Sequence, residues 1–120
     1  MIYISYYKNV ADVGPAYTLI QVSNSKPKWF PWGVWSLPEV YPDFENVKAL
    51  KDGVMSEDRF SQLYREKLAK LDRTVILNKI NEIVSLGEDK DAILLCWESS
   101  DKFCHRHILA EWLGNNIQEW

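Results

Sequence analysis

One segment limits the fold of this chain more than any other: residues 92–113, AILLCWESSDKFCHRHILAEWL. It begins with a continuous apolar run over 92–97, whose length and composition are typical of a strand buried on both faces of a sheet. The polar residues 98–102 predict a loop. Apolar residues then recur at helical spacing, which predicts a helix over about 104–117. A buried strand, a short loop and a helix form the unit at which open α/β sheets bind ligands.

The beginning of the predicted helix brings reactive side chains to one edge of the sheet. Helical spacing places His105 at the centre of the apolar face and directs His107 to solvent. The unpaired N–H groups of a helix N-terminus favour an anion or a thiolate nearby. The candidate catalytic residues are Cys96, Glu98, Cys104 and His105, and the candidate ligand for an anion is Arg106.

The same residues carry a family resemblance. A strand ending Leu-Leu-Cys-Trp-Glu (94–98), seven residues between the cysteines, and a helix opening Cys-His-Arg (104–106) are similar to the signature of the DUF488 family. That family comprises prokaryotic and phage proteins of unknown function. The N-terminal Ile-Tyr-Ile-Ser-Tyr-Tyr and the middle rich in Pro and Trp also resemble it. The resemblance implies a compact α/β domain with its site at the Cys-His-Arg motif, and it implies no particular reaction.

Length, composition and charge limit the class of protein. The 120 residues are enough for a single domain with one core, and an apolar content of 47% excludes a disordered chain. The net charge of −3 gives no sign of non-specific nucleic-acid binding. No apolar stretch approaches the roughly 18 residues of a membrane span, so we expect no membrane partner. Two cysteines without a recognisable signal peptide predict a cytoplasmic protein.

The rest of the chain predicts an α/β fold with a small, mostly parallel sheet of three to four strands. The predicted strands are 2–7, 17–23 and 92–97, with room for a short one within 33–37. The main predicted helices are 57–71, 72–86 and 104–117. Ser100 or Asp101 is available to cap the last helix, and Gly114 lies within it.

Segment 28–44 combines many aromatic residues with prolines that forbid a long helix or a central strand. We favour the interpretation that it supplies core to a small domain. The alternative is a platform that stacks a base or sugar over the site. In that case the aromatic candidates for ligand binding are Tyr6, Tyr7, Trp97 and Trp32.

The leading functional hypothesis is binding of a phosphate-bearing or otherwise anionic ligand, such as a nucleotide or a nucleic-acid end. Arg106 and the helix N-terminus would take the phosphate, and Glu98 would orient a hydroxyl or act as a general acid or base. This hypothesis includes both a protein that only binds the ligand and an enzyme that acts on it. The second hypothesis is a non-enzymatic module that binds another protein through the Trp-rich segment.

Three further interpretations of the junction stay open. Cys96, Cys104 and His105 or His107 could ligate zinc or iron, but Cys-x7-Cys-His is not a standard finger spacing, so no particular cofactor is predicted. A cysteine nucleophile or a Cys96–Cys104 redox pair is conceivable, although no phosphatase-type or thioredoxin-type motif supports it. In the purely structural interpretation, His105 is a hydrogen-bonded core residue and Glu98 pairs with Arg106.

Overall fold

Five parallel strands form one sheet at the centre of the protein. A computed structural model describes residues 1–98, 103–114 and 116–120. The strands are β1 (Ile2–Tyr6), β2 (Thr18–Gln21), β3 (Trp35–Ser36), β4 (Ala92–Cys96) and β5 (Ile117–Glu119). Their order is β3-β2-β4-β1-β5, and all the described pairings are parallel. The predicted α/β fold is therefore confirmed, with five strands where three to four were expected.

Five α-helices surround the sheet in the described part of the chain, and the two longest begin at a side-chain cap. They are α1 (Tyr7–Val10), α2 (Phe44–Lys51), α3 (Glu57–Ala69), α4 (Arg73–Leu86) and α5 (His105–Leu113). The Ser56 side chain caps α3 by accepting the Arg59 N–H at 3.0 Å. Asp72 caps α4 by accepting the Thr74 N–H at 2.9 Å. The three main predicted helices are thus present, and the short α1 and α2 are additional.

The two faces of the sheet are covered differently. Alternate side chains of the strands, such as Ile4, Ile20 and Leu94, pack against the helices on one face. Their neighbours Ile93 and Leu95 pack on the other face, against aromatic residues of the first turns and of segment 28–34. The central strand β4 is buried along its whole length, as its continuous apolar run predicts.

Both ends of α5 differ from the prediction. The predicted helix extends to residue 117, but α5 ends at Leu113. Gly114 follows with a φ of 126°, a conformation that residues with a side chain rarely adopt, and the chain then returns as β5 beside β1. At the start, Cys104 occupies the N-cap position without a side-chain capping bond. The proposed caps Ser100 and Asp101 lie outside the described residues.

The aromatic segment is divided between core and surface. Phe30 is buried, and Trp32 is half-buried with its Nε1 donating to the Ala11 carbonyl at 2.7 Å. Trp29 and Trp35, by contrast, are 55% and 40% exposed. The segment therefore does supply core, while leaving two indole rings on the surface. None of the helices in the described part of the chain is long and apolar enough to span a membrane.

Candidate functional site

A cleft opens beyond the ends of β2 and β4, between the residues that follow each strand. These two strands are neighbours in the sheet. Phe30, in the segment after β2, packs on one face of the sheet, whereas α5, the helix after β4, packs on the opposite face. The resulting crevice lies beyond the carboxyl ends of both strands, where open α/β sheets bind ligands. It encloses about 110 Å³.

Polar groups from four parts of the chain line this cleft. Ser23 and Asn24 follow β2, Glu98 follows β4, and His105 stands at the beginning of α5. Lys51, the last residue of α2, contributes a cation at the rim. The cleft thus combines hydroxyl, amide and carboxylate groups with one basic side chain.

Two exposed aromatic rings border the same cleft. Phe44, the first residue of α2, is 67% exposed, and Trp97 is 43% exposed. The Trp97 ring is held in place, since its Nε1 donates to the Ser25 carbonyl at 2.9 Å. Tyr7 packs edge-on against Trp97, with ring centroids 6.3 Å apart. Large apolar side chains left exposed beside a cleft are typical of a ligand-binding surface.

The two cysteines meet at the base of this region. Cys96, the last residue of β4, and Cys104, the N-cap of α5, form a disulfide and are both buried. His105 Nδ1 lies 3.9 Å from Cys104 Sγ. The two sulfur atoms and one ring nitrogen of His105 all lie within 4.8 Å of one another. The expected convergence of Cys96, Cys104 and His105 is therefore present, and in the disulfide neither sulfur is a free nucleophile.

His105 is held as a neutral imidazole of defined tautomer. Its Nε2 lies 2.7 Å from the Val22 carbonyl oxygen, which can only accept, so Nε2 carries the proton. Nδ1 is then the unprotonated nitrogen, and it faces Cys104. Burial is the main cause that lowers the pKa of His105 from 6.5 to about 4, with the charges of Arg106 and His107 adding to the effect. His107 itself is exposed, as the helical spacing predicted.

Arg106 is a buried internal contact. Its Nη1 donates to Cys96 Sγ at 3.3 Å and also to the carbonyl oxygen of Glu98. Its Nη2 donates to the Glu119 carboxylate at 3.1 Å, and the guanidinium lies over the Tyr6 ring. The ion pair between Glu98 and Arg106, which the purely structural interpretation proposed, is therefore wrong. Arg106 contacts the backbone of Glu98, and its carboxylate partner is Glu119 on β5.

The other predicted residues lie in different places. Tyr6 is opposite Cys96 in the register of β1 and β4, beneath Arg106. Tyr7 is buried in the core of the opposite face, where burial raises the pKa of its hydroxyl to about 12. Trp32 lines a separate cleft of about 270 Å³ beside the beginning of β2, together with Lys90. Trp32 is thus not part of the cleft that contains His105.

The contributions of α2 and of the turn after β2 to this cleft were not predicted. A signal for the turn was available, because Ser23 and Asn24 follow a strand parallel to β4 and must reach the same edge. Phe44 and Lys51 carry no such local signal, since only the packing of α2 brings them to the cleft.

A comparison with known families covers most of the chain, from within α1 to the first residue of β5. A family model named DUF488-N3a, described as "Active DUF488-N3 subclade", matches residues 9–117. The chain belongs to the DUF488-N3a family. The match confirms the assignment to the DUF488 family, and the Leu-Leu-Cys-Trp-Glu and Cys-His-Arg segments both lie inside the matched range. No curated protein and no solved structure matches the chain.

Proposed function

We propose that this DUF488-N3a protein binds a nucleotide-like ligand, a planar ring joined to an anionic group, in the cleft between β2 and β4. The observation that carries the proposal is the position of two exposed aromatic rings, Phe44 and Trp97, at a polar cleft beyond the strand ends. Planar bases stack on such rings, and a base–aromatic stack contributes about 1–3 kcal/mol.

The size of the cleft limits how much ligand it can enclose. Its volume of about 110 Å³ is below the roughly 300 Å³ at which ligand pockets usually begin. It therefore suits one part of a ligand, with the planar ring outside against Trp97. A free nucleotide and the end of a nucleic-acid strand both meet this description.

Charge in the cleft supports an anionic group near Lys51. Arg106 is fully buried, and its Nη1 and Nη2 atoms already donate to other groups of the protein. Lys51, which lines the cleft, is therefore the cation better placed for a phosphate. The Glu98 carboxylate can accept a hydrogen bond from a ribose hydroxyl. In this proposal Arg106 is a positioning residue, which fixes the backbone that carries Glu98.

A thermal-shift screen tests the proposal. The panel contains nucleoside mono- and triphosphates, ribose 5-phosphate and short single-stranded oligonucleotides. A ligand at 100 times its Kd stabilises the native state by about 2.7 kcal/mol and raises the Tm. We expect a rise that is reduced in Lys51→Ala and in Trp97→Leu.

Lys48→Ala is the matched control for Lys51→Ala. Lys48 lies on the same helix, outside the cleft, in an exposed ion pair with Asp52. A shift lost equally in both lysine variants, or no shift with any compound, contradicts the proposal. Oligonucleotides that act where mononucleotides do not would identify a nucleic-acid end as the ligand. We also propose a cytoplasmic location, a reducing compartment in which Cys96 and Cys104 would be thiols and not the disulfide seen in the structure.

A protein-binding role is the second candidate, and it rests on the exposure of Trp29 and Trp35. Indole rings are enriched at the energetic centres of protein interfaces. Self-association is the simplest form of this role. Sedimentation of the wild type and of Trp29→Ser/Trp35→Ser over a range of concentrations tests it, and identical monomeric behaviour of both argues against self-association.

A further inference from the structure

Two sulfur atoms and one imidazole nitrogen meet at the junction of β4 and α5. We propose that, when its cysteines are reduced, this junction binds a divalent metal ion, Zn²⁺, through Cys96, Cys104 and His105. The three donor atoms lie within 4.8 Å of one another, and all three residues are buried. Thiolate and imidazole are the donors that tetrahedral Zn²⁺ prefers. This site does not depend on the ligand proposed for the cleft.

The orientation of His105 supports ligation through Nδ1. The ring nitrogen away from the sulfurs donates to the Val22 carbonyl at 2.7 Å. A metal-binding histidine almost always donates its other ring N–H to a carbonyl or carboxylate in this way, which fixes the tautomer and the plane of the ring. The lone pair on Nδ1 is therefore directed to the side where the sulfurs lie.

The separation of the two cysteine backbones also suits an ion. The Cα atoms of Cys96 and Cys104 are 7.5 Å apart, wider than the roughly 4.4–6.8 Å usual for disulfides. Two Zn–S bonds of about 2.3 Å each span more distance than one bond between sulfurs. The reduced pair can thus hold an ion while the backbone stays near its present position.

Charge balance favours the same assignment. Two thiolates neutralise a divalent ion, while Arg106 is neutralised by Glu119 at 3.1 Å. Arg106 Nη1 donates to Cys96 Sγ at 3.3 Å, so a cation lies beside this donor atom. Three protein ligands leave one tetrahedral position, and His105 borders the cleft, so water or a cleft ligand can take that position.

Metal analysis of the reduced full-length chain tests the proposal. The protein is prepared with a reductant and without chelator, exposed to Zn²⁺, and freed of unbound ion before elemental analysis. We expect about one zinc per chain. We expect Cys104→Ser and His105→Gln to lose most of that zinc and His107→Gln to keep it. His107 is the matched control, because it is exposed and pairs with Glu119 outside the donor set.

Cobalt provides a readout that needs no variant. Co²⁺ added to the reduced wild type should give thiolate-to-cobalt charge-transfer absorption and protect both thiols from a thiol reagent. Hydrogen peroxide should then abolish the absorption, since it accepts two electrons, is reduced to water and leaves the two sulfurs as a disulfide. A reduced chain that binds neither zinc nor cobalt and keeps two reactive thiols overturns the proposal. Zinc retained by both Cys104→Ser and His105→Gln overturns it as well.

Discussion

The guanidinium of Arg106 donates to the carboxylate of Glu119 at 3.1 Å, which joins the beginning of α5 to the last strand of the sheet. Arg106 is fully buried, whereas Glu119 is 37% exposed. The same guanidinium contacts Cys96 and the backbone of Glu98. One buried cation thus holds together β4, α5 and β5 beside the candidate site.

Removing the Arg106 side chain should destabilise the fold. Arg106→Ala leaves the carbonyl of Glu98 and the carboxylate of Glu119 without this donor, and it opens a cavity over Tyr6. We expect a loss of roughly 2–4 kcal/mol in the free energy of unfolding, measured by urea denaturation. This is slightly less than for a fully buried ion pair, because water reaches Glu119.

Arg65→Ala is the matched control for that loss. Arg65 pairs with Glu111 at 3.2 Å, but both side chains are mostly exposed. Exposed pairs contribute under about 1 kcal/mol, so this variant should unfold close to the wild type. Equal effects of the two arginine variants would show that Arg106 contributes no more than a surface residue.

Two glycines separated by less than twenty residues should respond differently to alanine. A Cβ on Gly14 would overlap the Trp32 ring, while a Cβ on Gly33 meets nothing within 4 Å. Gly14→Ala should therefore lower the free energy of unfolding by roughly 1–3 kcal/mol through overpacking. Gly33→Ala should change it by less than about 0.5 kcal/mol.

Tryptophan fluorescence supplies a second readout for the same pair. A displaced Trp32 loses the hydrogen bond from its Nε1 to the Ala11 carbonyl, and its emission should shift to the red in Gly14→Ala. If Gly14→Ala is as stable as Gly33→Ala and emits like the wild type, then the Trp32 ring does not lie against Gly14 as the structure has it.

Tyr7 makes stability depend on alkaline pH. Burial raises the pKa of its hydroxyl from 10.0 to about 12, so the native state retains a proton that the unfolded chain loses. This contribution is complete below pH 10 and is lost as the pH rises from 10 through 12. The difference between the two pKa values corresponds to roughly 2–3 kcal/mol in the free energy of unfolding.

The Tyr7→Phe variant isolates this effect. It keeps the ring that packs against Phe30 but has no hydroxyl to ionise. Chemical denaturation at pH 9, 10.5 and 12 should therefore show a smaller loss of stability in the variant than in the wild type. If the stabilities of the wild type and of Tyr7→Phe fall equally over this pH range, Tyr7 ionises equally easily in the native and unfolded states.

Much of the fold could be predicted from local pattern. The apolar run at 92–97 predicted β4 because a strand covered on both faces needs apolar residues at every position. The helices predicted over 57–71 and 72–86 are present, and Ser56 and Asp72 cap their first N–H groups. β5 was not predicted, since it has three residues, only Ile117 among them apolar, and depends on the turn at Gly114.

The candidate site was predictable where it depends on sequence neighbours. Cys96 ends a strand and Cys104 begins the following helix, so their meeting follows from local structure. Glu98 was the wrong partner for Arg106, because the true partner, Glu119, lies on the strand that was not predicted. The roles of Phe44 and Lys51 depend on how α2 packs against the sheet edge, which no local spacing encodes.

The measurement that tests the central claim most directly is a titration of the isotope-labelled protein with AMP, GMP, CMP and UMP, followed by ¹H–¹⁵N NMR. The ligand cleft between β2 and β4 predicts that at least one nucleotide shifts the amide signals of Ser23 and Glu98 and the indole N–H signal of Trp97. Signals of Gly87 and Lys90, beside the cleft at the beginning of β2, should stay in place. Unchanged signals around Trp97 with every nucleotide, or shifts confined to Gly87 and Lys90, would contradict the account.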